Sequence, residues 1–248
     1  MSIVRFENWN SKAVLAGYTT DYGGLFRYHH PEDLAHYEAL GQSLGVNTDH
    51  MIRVHQYHTD KVLPVSTANG GEGILREGSP EGNDALITNT PGLLLCMISA
   101  DCVPVFFYDA ISRCVGLAHS GRTGTALEIA ALTAQNMQHL YGAKPERIRC
   151  ILGPHLCPAH HQVKRSDTAI FTECFSAAER VKFIIPSGEH ALVDMSAAIT
   201  ISLLRAGLRK ENIFHCGICT YEQPELFSWR RDKNPDTHIL SFISLFQK

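Results

Sequence analysis

Short apolar runs bounded by turn residues alternate along the chain with a few stretches of helical period, and that alternation predicts the architecture. Strands are expected at Met51 to Val54, Lys61 to Ser66, Leu93 to Ile98, Val105 to Tyr108, Val115 to Ala118, Ile148 to Leu152, Val181 to Ile185 and Ile213 to Cys216. Helical spacing of apolar positions appears over Pro31 to Leu44, Thr125 to Tyr141, Ser166 to Arg180 and Ser196 to Ala206. In the second of these, Thr125 and Glu128 have the spacing of a capping box ahead of Leu127, Ala130, Ala131, Ala134 and Met137. Tyr108 to Arg113 predicts a hairpin connection, and Asn69 to Asn83, rich in Gly, Glu, Ser and Pro, reads as a long surface loop. Hairpins mixed with helical crossovers predict an α+β fold with mixed β-sheets flanked by helices, in preference to a doubly wound parallel sheet.

Composition narrows the class. A chain of 248 residues can bury one substantial core, and a single domain over 1–248 is expected. The net charge of -3, with no cluster of Lys and Arg, argues against a nucleic-acid partner, because phosphate neutralisation needs such clusters. No stretch approaches the roughly 20 apolar residues of a membrane span, and the first residues lack the basic start and apolar run of a signal peptide. A cytoplasmic location is therefore expected. In that compartment the 8 Cys are thiols, ligands or nucleophiles in preference to a disulfide framework.

Candidate chemistry gathers where apolar runs end. Cys102, in Ala100-Asp101-Cys102-Val103-Pro104, follows one run, and His119 ends the next, just before Gly121. With His58 upstream, these residues offer an N, S, N donor set that suits zinc and leaves a fourth position for water or substrate. The same Cys and His also have the composition of a nucleophile and its base. Asp84 and Asp101 are candidate proton carriers, although each equally suits a turn. Gly121-Arg122-Thr123-Gly124-Thr125 opens a predicted helix, where free N–H groups and the Arg122 fork suit a phosphate; an ordinary glycine-containing helix entry is the plain alternative. Cys216-Gly217-Ile218-Cys219 lacks a second pair and reads as buried thiols, and His29-His30 and His160-His161 read as solvated loop pairs. No His-x-His occurs, which argues against a multicopper centre.

Several motifs in order carry a resemblance to a known family. His55-Gln56-Tyr57-His58-Thr59-Asp60-Lys61-Val62, Asn83-Asp84-Ala85-Leu86-Ile87-Thr88, Ala100-Asp101-Cys102-Val103-Pro104 and His119-Ser120-Gly121 resemble the YfiH-like family, formerly called multicopper polyphenol oxidases or laccase domain proteins and now described as purine nucleoside phosphorylases. Gly153-Pro154-His155, Cys219-Thr220-Tyr221 and Glu225-Leu226-Phe227-Ser228-Trp229-Arg230-Arg231 extend it over nearly the whole chain. The resemblance implies a CNF1/YfiH-like fold and a zinc site at His58, Cys102 and His119, with zinc favoured over copper. His55 is expected to point away.

The implied activity is phosphorolysis of adenosine, inosine and methylthioadenosine, with purine nucleoside and phosphate as the ligands, accompanied by adenosine deamination. Arg122, Thr123 and Gly124 are the expected substrate-binding residues. The family's usual run after the His is Ala-Gly-Trp-Arg-Gly, or the same with Lys; here Arg122 stands in place of the aromatic and Thr123 in place of the basic residue. Two other readings stand beside this one. The first is a metal-free cysteine hydrolase with Cys102 as nucleophile and His119 as base, acting on an amide or peptidoglycan precursor. The second is a non-enzymatic structural zinc site closed by Cys157 or Cys219.

Overall fold

The computed structural model describes residues 2–9, 13–20, 26–78 and 81–246. Its elements run β1 (Ser2–Arg5), β2 (Val14–Thr20), α1 (Leu34–Leu44), β3 (Met51–Arg53), β4 (Val62–Pro64), β5 (Ala85–Thr88), β6 (Leu94–Ser99), β7 (Val103–Asp109) and β8 (Cys114–Ser120). They continue through α2 (Arg122–Ala126), α3 (Ile129–Tyr141), β9 (Arg149–Leu152), β10 (Gln162–Lys164), α4 (Ala177–Arg180), β11 (Ile184–Ser187), β12 (His190–Val193), α5 (Met195–Arg205), β13 (Ile213–His215), α6 (Trp229–Asp232) and β14 (Ile239–Leu245). The fold is α+β with mixed sheets. One sheet has the order β1-β2-β14-β6-β3, a second β13-β9-β7-β8-β5-β4, and a small third β10-β12-β11.

Period-two alternation explains how the two large sheets stack. In β7, Phe106 and Tyr108 face one way, toward Leu95 and Met97 of β6 and Ile243 of β14. Val103, Val105 and Phe107 face the other, toward Ala130, Ala134 and Met137 of α3 and Ile199 and Leu203 of α5. Leu94 and Cys96 of β6 likewise turn outward to meet Tyr37 and Leu40 of α1. The result is α1, sheet, sheet, then α3 with α5. Because both sheets are covered on both faces, their central strands read as unbroken apolar runs instead of alternating ones.

The predicted hairpin is present. β7 and β8 pair antiparallel from Val103↔Ser120 to Asp109↔Cys114, and Asp109 Oδ1 accepts from Ile111 N at 2.9 Å to close the turn. Other expectations change. The stretch Thr125 to Tyr141 is divided between α2 and α3 at Glu128, which adopts a left-handed φ of 60°. No capping box forms there, because the Thr125 hydroxyl bonds Ser120 Oγ at 2.7 Å and the Glu128 carboxylate pairs with Arg205. Ser166 to Arg180 is a 3-10 segment followed by the single turn α4, and the strand expected from Val181 begins only at Ile184. The cause is local: Phe171, Phe175 and Phe183 pack edge to face, at centroid distances of 5.1–6.0 Å, and the chain folds around them.

The segment from Asn69 is no free surface loop over its first half. Gly71 N donates to Met51 O and Arg53 N to Glu72 O, so it covers the edge of β3, with Ile74 buried. A Cβ on Gly73, at φ +74°, would lie 1.9 Å from Arg53 O, so only glycine fits. Ser79 and Pro80 of this segment lie outside the described residues. Strands β1, β2, β5, β10, β12 and β14 were not expected from the apolar pattern. Among the described residues, no helix is long and apolar enough to cross a membrane.

Candidate metal centre

The hairpin brings two of the three candidate ligands to one end of the sheet. Cys102 immediately precedes β7, His119 lies in β8, and the register sets Pro104 opposite His119. His58 arrives from the connection between β3 and β4 with a left-handed φ of 60°. The donor atoms of His58, Cys102 and His119 lie within 4.8 Å of one another, and the two rings meet edge on, 4.9 Å between centroids. Asp101 also has a positive φ, 82°, so non-glycine residues on two sides of the cluster sit in a conformation that costs on the order of 1 kcal/mol each. Gly121 leaves the space between them: a Cβ there would stand 2.8 Å from His58 Cδ2 and 2.9 Å from Cys102 Sγ.

Behind His119 sits a fully buried carboxylate. Asp84 Oδ1 is 2.9 Å from His119 Nδ1. A carboxylate can only accept, so Nδ1 carries the proton and Nε2 is left as the donor atom toward the cluster. Asp84 Oδ2 accepts from Thr59 N at 2.7 Å, Thr59 Oγ1 at 3.0 Å and Tyr57 N at 3.1 Å, which pins the segment on either side of His58. One carboxylate thus orients two of the three donors. Burial alone would raise the Asp84 pKa, but the hydrogen bonds from His119 and Thr59 hold it below the ordinary carboxylate range. Burial would likewise push the Cys102 thiol up, yet the His119 and His58 rings outweigh it and bring it down to about 6. His119 is raised in turn by Cys102 and Asp84, against its own burial. A soft thiolate and two imidazoles, with a carboxylate behind one of them, are the donor chemistry a divalent zinc-type ion takes.

In front of the cluster lies a cavity of about 470 Å³, lined by His58, Asp101, Cys102, Arg122, Thr123, His161, Trp229 and Arg230 among others. Asp101 accepts from Thr220 Oγ1 and from Arg230 N, both at 2.6 Å, and so fastens α6 to the cavity wall. Arg122 reaches Asp167 at 3.4 Å. Gly124 does not line the cavity; it is buried beneath it, where a Cβ would stand 3.3 Å from His119 O. The helix carrying Arg122 and Thr123 has only five residues. His55 points elsewhere, its ring stacked between Tyr28 and Tyr57.

The sequence placed Gly121 only in a helix entry suited to phosphate and gave no cavity role to His161, Trp229 or Arg230. Gly121 stands two residues from His119, and only close packing in three dimensions distinguishes it from a turn glycine. His161 is half-buried at the cavity, and His160 is half-buried as well, so neither is the solvated residue expected. Cys219 is more than a plain buried thiol. It and Cys157 gather with His160 and Glu222 into a separate donor group, away from any role in closing the triad.

Residues 31–246 match the sequence family described as "Multi-copper polyphenol oxidoreductase laccase". The chain belongs to this family. It is 27% identical over 253 residues to the purine nucleoside phosphorylase YlmD of Bacillus subtilis, covering 96% of this chain and 91% of that one. It is 30% identical over 196 residues to the adenosine deaminase RL5 of an unknown prokaryotic organism, covering 77% and 74%. The crystal structure of Bacillus licheniformis YfiH superposes with a TM-score of 0.91 at 27% identity, over 98% of this chain and 96% of that one. The likeness to YfiH agrees with the motifs read from the sequence. The family's oxidase wording gains nothing from the donors: no His-x-His occurs in the chain, and among the described residues the groups able to hold a metal are the triad and the Cys157 group.

Proposed function

We propose that the protein is a zinc-dependent purine nucleoside phosphorylase, acting on adenosine, inosine and methylthioadenosine, with an accompanying adenosine deaminase activity. The observation that carries this reading is the convergence of His58, Cys102 and His119 at one side of a cavity that also holds Arg122, Arg230 and Trp229. One relative named a purine nucleoside phosphorylase and another named an adenosine deaminase support it. Bound zinc would supply Lewis acidity at the open side of the cluster. The chain's own residues do the rest. Asp84 positions His119 and the His58 segment; Asp101, the carboxylate at the cavity, moves protons to or from the purine. Arg122 and Arg230, with Thr123, hold phosphate against the ribose C1 carbon as the glycosidic bond breaks, and Trp229 offers a face for the base.

The test is metal analysis of purified protein together with product identification from adenosine, with phosphate present and absent. Adenine appearing only with phosphate, and inosine appearing without it, is the expected result. Protein with stoichiometric zinc that forms neither overturns the reading.

A second reading draws on one specific geometry. Cys102, His119 and Asp84 are also arranged as a thiol, base and orienting carboxylate. Such a hydrolase would have no use for His58 beside the sulfur, which favours the metal reading. Activity that survives chelation and is stopped by alkylation of Cys102 would reverse that preference.

A further inference from the structure

We propose that Cys157, His160, Cys219 and Glu222 form a second, closed metal site of zinc type, distinct from the triad. The inference does not rest on the reaction assigned to the cavity. Two turns of the same form supply the donors. In Cys157-Pro158-Ala159-His160, His160 N donates to Cys157 O at 3.1 Å; in Cys219-Thr220-Tyr221-Glu222, Glu222 N donates to Cys219 O at 3.2 Å. Each turn therefore offers its first and fourth side chains toward the other. The turns are held face to face by the bridge between His155 and Cys219, with His155 N to Ile218 O at 3.2 Å and Thr220 N to His155 O at 3.0 Å.

The spacing of the donors is that of a tetrahedron around a small ion. Zinc bonds of about 2.3 Å to sulfur and about 2.0–2.1 Å to nitrogen or oxygen place neighbouring S and N or S and O ligands about 3.5 Å apart, and N and O about 3.4 Å apart. His160 Nδ1 lies 3.2 Å from Cys157 Sγ and 3.7 Å from Cys219 Sγ. Glu222 Oε1 lies 3.8 Å from Cys157 Sγ and 3.5 Å from His160 Nδ1. These are four of the six edges of the group, each within a few tenths of an ångström of the expected length, and the other two are no longer than 4.8 Å. Outer contacts fit too: Cys157 N donates to Cys219 Sγ at 3.3 Å, as backbone amides do to thiolate ligands, and Tyr221 stacks on the His160 ring at 4.2 Å. Four protein donors leave no open position, so this ion would be structural. Its turns border the cavity wall, since Thr220 Oγ1 bonds Asp101 and Arg230 Nη1 bonds His160 O at 3.0 Å.

The experiment uses the full chain. Zinc content by mass spectrometry is expected to be two equivalents in the wild type and one in His58→Ala/Cys102→Ser, with cobalt(II) substituted into that double variant giving an intense sulfur-to-cobalt absorption band. Cys157→Ser is expected to lower the wild-type content by one equivalent. Glu222→Gln changes an exposed carboxylate and keeps the fold if Cys157→Ser does not; it is expected to weaken zinc retention against a chelator by about 10-fold or more. A double variant that holds no zinc and gives no cobalt–sulfur band overturns the proposal. So does a Cys157–Cys219 disulfide found in the protein isolated under reducing conditions.

Discussion

The two donor groups use similar residues in opposite ways. At the triad, three donors come from three separate segments, a buried carboxylate stands behind one of them, and a cavity opens in front. At the Cys157 group, four donors come from two matching turns and lie within 4.8 Å of one another. An incomplete shell leaves room for a reacting molecule, whereas a complete one leaves only cross-linking. Donor identity therefore says little about role. The number of donors and the space beyond them decide it.

That contrast can be broken most forcefully at the triad. Cys102→Ser or His119→Ala should lower adenosine turnover by on the order of 10³-fold or more in a steady-state assay, while Cys157→Ser stays within several-fold of wild type. Equal losses from both groups would erase the distinction. Next in size, Gly121→Ala places a methyl carbon 2.8–2.9 Å from His58 and Cys102. It should cost about 1–3 kcal/mol in denaturant unfolding and release one zinc equivalent but not the other. Asp84→Asn should weaken zinc at the triad by about 10–100-fold in chelator competition, because an amide can present the wrong group to His119.

The smallest effect concerns protons. In chelated protein, Cys102, held down to about 6 by the two rings despite its burial, is thiolate at neutral pH, and Cys157, raised to about 11 by burial and by Cys219, is thiol. Alkylation followed by peptide mapping should therefore modify Cys102 first at neutral pH. Its rate should fall as pH drops through about 6, where the sulfur takes up its proton. Cys157 should react at appreciable rate only in strongly alkaline solution.

Legibility in the sequence followed locality. The β7–β8 hairpin and the cysteine and histidine at its ends could be read because both strands and their turn lie within eighteen residues, Val103 to Ser120. His58 could be added to the donor set by residue type alone, but with 44 residues between it and Cys102 no spacing rule joins them, and the family resemblance supplied the stronger support. Asp84 was ambiguous for a related reason: a residue before a strand serves a turn or a site equally well until its neighbour across the sheet is known. The break at Glu128 went unseen because the Glu128 side chain pairs with Arg205, 77 residues onward, instead of capping the helix. The Cys157 group was divided in the sequence between a histidine pair and a CxxC, and neither fragment signals the other. Strands β2 and β14 were missed although both are apolar, since each pairs with a strand far away in the sequence.

Strand β14 has a consequence for how the protein comes into being. It lies between β2 and β6, with Ser241 opposite both Tyr18 and Met97, so the five-stranded sheet joins residues more than two hundred positions apart. During synthesis β2 and β6 must wait, each with an open apolar edge, until residue 239 has left the ribosome. The hairpin bearing Cys102 and His119 can pair long before then, but the layer that covers it cannot close. Closure of this sheet is thus tied to the emergence of β14, and a nascent chain stalled short of it is a substrate for chaperones and aggregation, with the Cys102 and His119 hairpin already paired and its partner layer unfinished.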